Sequence, residues 1–358
     1  MDSLSQIVLG GAVAAAIVPA GHRRAALLAG AGLGTLPDLD ALVLALLNVD
    51  PVSLMTMHRS CSHSLFVLPF VAWLVWWLCK RRGGRVAESP VRWFFAILLA
   101  LVTHPLLDAF TIYGTQLWWP LRPHPTMWGS VFIVDPLYTV WLLLGCVVAW
   151  FARARRIGEY ALVTGLALSC GYLGWSLVAK HRIDQITESE LAARGIPDAP
   201  YFSVPLPLNT LLWRVVVMVP DGYLIGDRSL AADRGAMRFK RCESDGRALA
   251  EAGDIPAVRN LNWFNRGFMR ARVNPQGELV LSDLRMGLEP DYNFSFAVAE
   301  RSDAGWREIP VRQLQEGYRA PVEKGRMGAA LAALWHRIWN TSDEMLLDRD
   351  SSGSDIGD

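Results

Sequence analysis

Up to about residue 180 the chain alternates long apolar runs with short polar breaks, and beyond that point long apolar runs stop. Six runs stand out, at residues 4–20, 25–47, 65–79, 93–112, 131–151 and 160–179. Since a helix needs roughly 20 apolar residues to cross a bilayer, the pattern predicts an α-helical membrane domain of about six crossings, some short or re-entrant. The second run contains Gly30, Gly32 and Gly34, which allow close helix packing, and is interrupted at Pro37 beside two aspartates. It reads as a short crossing to Leu36 followed by a shallow helix over 41–47.

After residue 180 the period changes. Residues 212–219 and 223–226 flank Pro220-Asp221-Gly222, and 269–273 and 278–284 flank Asn274-Pro275-Gln276-Gly277. These are hairpin signatures, and with a further strand pattern at 292–299 they predict a small antiparallel sheet of five or more strands. Met327, Leu331, Leu334, Trp335, Ile338 and Trp339 recur at three and four, the spacing of an amphipathic helix. The expected organisation is a membrane-embedded helical domain at 1–180, a β-rich domain at 181–322, an amphipathic helix at 323–340 and a disordered acidic tail at 341–358.

Composition sharpens this picture. Charged residues make up 19% of the chain and hydrophobic ones 52%, against about 25% charged in an average soluble domain. A net charge of +1 argues against a nucleic-acid partner and leaves membrane lipids as the expected one. The five cysteines form no C-x-x-C pair, so neither a zinc ribbon nor a disulfide framework is indicated. Met1-Asp2-Ser3 is acidic where a secretory signal would be basic, which favours an uncleaved first helix. Basic residues cluster at His22-Arg23-Arg24, at Lys80-Arg81-Arg82 with Arg85 and Arg92, and at Arg153, Arg155 and Arg156. Placing these alternate loops in the cytoplasm puts the amino terminus and everything after the sixth run outside.

Seven ionisable residues lie at the ends of the runs: Asp38, Asp40, His58, His63, His104, Asp108 and Asp135. Such groups are costly beside hydrocarbon unless they pair or bind a cation. In the alternating topology all seven fall on the non-cytoplasmic side. His104 and Asp108, four apart, share one helix face. Asp38 and Asp40, two apart, point about 200° apart on a regular helix, so they converge only where Pro37 makes the backbone irregular. His58 and His63 bracket the polar loop Arg59-Ser60-Cys61-Ser62. Mixed imidazole and carboxylate donors suit zinc, manganese or iron better than calcium. Asp38, Asp40, His58, His63, His104 and Asp108 are therefore candidate ligands for one or two ions. Asp135 is a candidate ligand or general base, Arg59 offers a guanidinium fork to an anionic group, and Gln6 can orient a ligand. Several have an ordinary alternative: Asp40 as a helix cap, His104 as a buried histidine on a carbonyl, Asp135-Pro136 as a helix start, Arg59 as the partner of an aspartate, and Gln6 as an interfacial polar residue. Their shared side is what favours the metal reading.

Several motifs resemble those of the membrane-bound metal-dependent hydrolase family, the YbcI/YdjM-like group of bacterial inner-membrane proteins. They are Met1-Asp2-Ser3-Leu4-Ser5-Gln6 with Gly10, Gly34-Thr35-Leu36-Pro37-Asp38-Leu39-Asp40, His58-Arg59 with His63-Ser64, and Thr103-His104-Pro105-Leu106-Leu107-Asp108. Tyr113-Gly114-Thr115-Gln116, Trp119-Pro120, Val134-Asp135-Pro136-Leu137-Tyr138-Thr139 and, more thinly, Ser282-Asp283-Leu284-Arg285-Met286-Gly287 extend the match. The resemblance implies a bacterial inner-membrane, metal-dependent hydrolase. A more distant similarity to zinc-dependent phospholipase C implies a phosphoester or lipid substrate. Where many members carry His this chain has Gln6, whose neutral amide is a weaker ligand and counts against a full phospholipase-like set of metals. The expected function is hydrolysis of an ester or phosphoester of a lipid or lipid-linked molecule at the outer leaflet, with the C-terminal domain periplasmic. A non-enzymatic metal-stabilised scaffold or a cation transporter is the rival.

Overall fold

Asp2 opens the first helix, α1 (Ser3–Ile17), by accepting the backbone N–H of Ser5. α1 packs against α2 (Arg23–Thr35) through bare glycine backbone. A Cβ on Gly10 would lie 2.3 Å from the Gly30 carbonyl oxygen, and one on Gly34 would lie 2.4 Å from that of Gln6. Small residues four apart join helices in this way where lipid supplies no hydrophobic drive. At Pro37 the chain turns through a 3-10 segment, Leu36–Leu39, into α3 (Asp40–Leu46). There follow α4 (Pro51–Met57), a 3-10 turn (Cys61–His63), α5 (Leu68–Arg81), α6 (Arg85–Glu88), α7 (Pro90–Ala109), α8 (Pro136–Ala152) and α9 (Arg156–Ala193). α7 lies against α1, α2 and α5, and Leu101 and Leu142 are fully buried in the shared core.

This computed structural model describes residues 1–289, 291–303, 305–314 and 326–341. It divides into two units, Met1–Val49 with Thr56–Leu177, and Asp50–Met55 with Val178–Asp358.

The expectation of six crossings is corrected. Among the described residues three helical stretches are long and apolar enough to cross a membrane: Ala20–Leu46, Pro90–Ala109 and Arg156–Ala193. A fourth exists only if Pro51–His63 and Leu68–Arg81, bent by 57°, form one span. α1 and α8 have 15 and 17 residues, which reach about 22 and 26 Å, short of the roughly 30 Å of hydrocarbon. α1 is apolar because protein covers it, with Ala12, Ala14 and Ala15 almost wholly buried. The last run and the polar stretch after Lys180 form one helix, α9, of 38 residues.

The basic residues gather at one end of the first unit. Arg23 Nη1 donates to the carbonyls of Arg153 and Arg155 at 2.8 and 3.0 Å, and Arg24 Nε to that of Trp150 at 2.8 Å. His22, beside them, pairs with Glu88 at 2.9 Å. Asp38, His104 and Asp108 lie at the opposite ends of α2 and α7.

The second unit is built on two four-stranded antiparallel sheets. β1 (Tyr201–Pro205), β2 (Leu212–Val219), β3 (Gly222–Ser229) and β4 (Lys240–Glu243) are ordered 1-2-3-4. α10 (Gly246–Glu251) and α11 (Pro256–Asn265) lead to β5 (Met269–Val273), β6 (Glu278–Asp283), the short pair β7 (Gly287–Leu288) and β8 (Asp291–Tyr292), β9 (Ser295–Ser302) and β10 (Gly305–Leu314). The second sheet has the order 10-9-6-5. Both hairpin signatures fold as such, closing Val219 on Gly222 and Val273 on Leu279. Buried pairs brace the strands: Arg214 bonds Asp227 at 2.8 and 2.9 Å, and Arg285 bonds Asp283 at 2.6 Å. α12 (Arg326–Trp339) buries Ile338 against Leu206 and Leu212, and its Arg337 pairs with Asp233 at 2.6 Å. The expected disordered tail lies, from residue 342 on, outside the described residues.

Candidate metal centre

Three features bring distant residues of the first unit together. The 3-10 turn at Pro37 swings Asp38 off the end of α2. The last turns of α7 present His104 and Asp108 on one face, both fully buried. Arg59 adopts a left-handed backbone, φ 62°, before the turn that carries His63. Asp38, His63, His104 and Asp108 then each offer one ligand atom, all within 4.8 Å of one another. His63, His104 and Asp108 are closed to solvent, while the Asp38 side chain is 27% exposed and forms the open side.

Hydrogen bonding fixes what these atoms present. His104 Nδ1 faces the Gly34 carbonyl oxygen at 2.6 Å, so it carries the proton. Ser62 Oγ gives its one proton to Asp40 Oδ2 at 2.5 Å and therefore accepts from His63 Nδ1 at 2.9 Å. With Nδ1 engaged in each ring, Nε2 is the atom left to face the centre, and the two Nε2 atoms stand 3.1 Å apart. Asp38 Oδ1 and Asp108 Oδ2 face the same point and make no hydrogen bond. Their distances to the two Nε2 atoms are 3.3 to 3.5 Å. Two imidazole nitrogens and two carboxylate oxygens converging on one point are a donor set that could hold a metal ion. The nitrogen–nitrogen and nitrogen–oxygen separations of 3.1 to 3.5 Å, with all four atoms within 4.8 Å of one another, are spacings that one shared ion can bridge. The residues present fit a single four-coordinate divalent ion.

The remaining candidates surround this cage or lie apart from it. Asp40 binds His58 Nδ1 at 2.7 Å and the Arg59 backbone N–H at 3.0 Å, so both Asp40 and His58 stand beside the four atoms, outside the cage. Through Ser62, Asp40 orients His63, an arrangement usual for metal-bound imidazoles. Arg59 is buried, with Nε 3.2 Å from Asp108 Oδ2 and its guanidinium carbon 4.8 Å from the Tyr113 ring centroid, and its Nη1 makes no hydrogen bond. Gln6 Nε2 donates to Asp108 Oδ1 at 3.0 Å, and the Met1 amino group donates to the same oxygen. Asp135 is elsewhere: it caps α8 by accepting from Leu137 N at 3.1 Å and takes the Tyr172 hydroxyl at 2.8 Å. Burial pushes its carboxyl above the usual carboxylate range. Ser62, the Gly34 carbonyl and the Met1 amino group are members that sequence reasoning did not single out.

Residues 1–183, which contain every one of these side chains, match the family model of the YdjM inner membrane protein. No curated protein and no solved structure matches the chain.

Proposed function

The chain belongs to the YdjM inner membrane protein family, and from that premise we propose a membrane-embedded hydrolase whose single divalent ion, zinc, is held by Asp38, His63, His104 and Asp108. The observation that carries the reading is the meeting of two imidazole Nε2 atoms with two carboxylate oxygens within 4.8 Å of one another. An ion bound there supplies a Lewis acid that polarises an ester or phosphoester oxygen and acidifies water.

Charge favours a phosphoester. A divalent ion cancels Asp38 and Asp108, and the buried guanidinium of Arg59, with Nη1 unused, leaves a positive site for an anionic group. His58, held by Asp40 through Nδ1, leaves Nε2 as the position able to take or give a proton. Apolar residues next to the open side favour a lipid or lipid-linked substrate: Leu36, Leu39, Leu42 and Leu46 are all exposed. The basic ends of α2, α7 and α9 lie opposite the centre, which by the positive-inside rule supports reading the centre, and whatever follows the span in α9, as periplasmic.

The test is hydrolysis by full-length protein in liposomes, with bis-p-nitrophenyl phosphate and a fluorescent phospholipid as probes. Turnover that a chelator abolishes, zinc restores and His104→Ala removes is expected. Stoichiometric metal with no turnover of either probe would make the centre a structural one.

A further inference from the structure

At the end of the first unit remote from the metal centre, a groove of about 450 Å³ opens between α2, α5 and α7. Its floor is made of small residues, Ala25 and Ala29 on α2, and its walls include Val75 and Cys79 on α5 and Ile97 on α7. From Ala25 to Leu33 it follows α2 for eight residue steps, about 12 Å at 1.5 Å per step. At its basic end the lining changes from hydrocarbon to two guanidinium groups, Arg82 and Arg85, on either side of the Gly83-Gly84 turn. Both arginines are exposed, and neither makes an ion pair or side-chain hydrogen bond among the described residues. Their neighbours are already engaged: Lys80 sits over Trp76, Arg81 over Trp77, and Glu88 is taken by His22.

We propose that this groove is a binding site for an anionic phospholipid of the cytoplasmic leaflet, with one acyl chain along Ala25, Ala29 and Leu33 and the phosphate held by Arg82 and Arg85. The match is of shape as well as sign. A slot that is apolar along its length and doubly cationic at its mouth fits a molecule with a hydrocarbon tail and an anionic head. Arginine forks suit phosphate oxygens, and basic pockets between helices on the cytoplasmic side are the usual places for anionic headgroups. A zwitterionic lipid carries its own cation to the same mouth and is disfavoured. The mouth lies at the end remote from the metal centre, its leaflet rests on the orientation proposed above, and its binding does not depend on the chemistry of that centre.

Purified full-length protein in neutral detergent is titrated with phosphatidylglycerol or phosphatidylcholine of equal chain length, and bound lipid is counted by native mass spectrometry. Maleimide labelling of Cys79, located by peptide mapping, reads occupancy of the groove itself. Phosphatidylglycerol is expected to bind on the order of tenfold more tightly than phosphatidylcholine and to shield Cys79. The double variant Arg82→Glu with Arg85→Glu loses both effects, and Ala29→Trp, which fills the slot and keeps the arginines, loses them as well. Equal binding of the two lipids, or no shielding of Cys79 by bound phosphatidylglycerol, would overturn the proposal. So would a folded Ala29→Trp variant with its preference intact, because the selectivity would then belong to the basic surface.

Discussion

Ser62 decides which nitrogen His63 turns toward the centre, because its hydroxyl donates to Asp40 and so accepts from Nδ1. Ser62→Ala frees the ring, and zinc affinity is expected to fall roughly 10- to 100-fold without being abolished, as measured by competition with a chromophoric chelator. Asp135→Ala serves as its comparison. Losing the α8 cap costs about 1 kcal/mol of stability and leaves zinc affinity unchanged; a matching fall in affinity would tie Asp135 to the centre. At this scale the sequence was partly legible. The spacing of His104 and Asp108 places them on one face, and Pro37 marks the break in the backbone that turns Asp38 inward. The division between the four facing atoms and the supporting pair, Asp40 and His58, was not legible. It depends on hydrogen bonds from Ser62 and from the Gly34 carbonyl, 70 residues from His104, and no periodicity encodes the direction of such bonds.

At the level of elements, the α1–α2 contact sets the centre. Gly34 touches the Gln6 backbone through its bare Cα and supplies the carbonyl that fixes His104. Gly34→Ala is expected to destabilise the protein by about 1–3 kcal/mol through overpacking and to lower zinc occupancy. Gly32→Ala, with nothing within 4 Å of its added Cβ, is expected to change neither; thermal unfolding and metal content check both. Equal effects at the two positions would contradict the contact. The glycine pattern announced close packing, but hydropathy overcounted the crossings. An apolar run records what surrounds a helix, and protein surrounds much of α1 as hydrocarbon would. In α9 the polar residues from Lys180 on mark a change of surroundings in an unbroken helix.

For the whole molecule, chain order carried more than pairing did. The turns 220–222 and 274–277 are local chemistry, and β2–β3 and β5–β6 form around them. The joining of β6 to β9, across an intervening β7–β8 pair, is not local and left no comparable signal. Polarity across the membrane is a property of this scale. With the arginines of Arg23, Arg24, Arg153 and Arg155 at one end of the helical unit, a reporter fused at the carboxyl terminus is expected to be active only in its periplasmic form. Activity of a cytoplasmic reporter would reverse the orientation and with it the leaflet served by the centre.

The most direct measurement is metal content with X-ray absorption at the zinc edge, on full-length protein purified without chelators. One zinc per chain in a four-coordinate shell of nitrogen and oxygen at about 2.0–2.1 Å, with imidazole scattering from two rings and loss of the metal in His63→Ala and His104→Ala, is the expected result. Protein that takes up no metal when offered zinc, or that keeps it undiminished when both histidines are replaced, would contradict the centre.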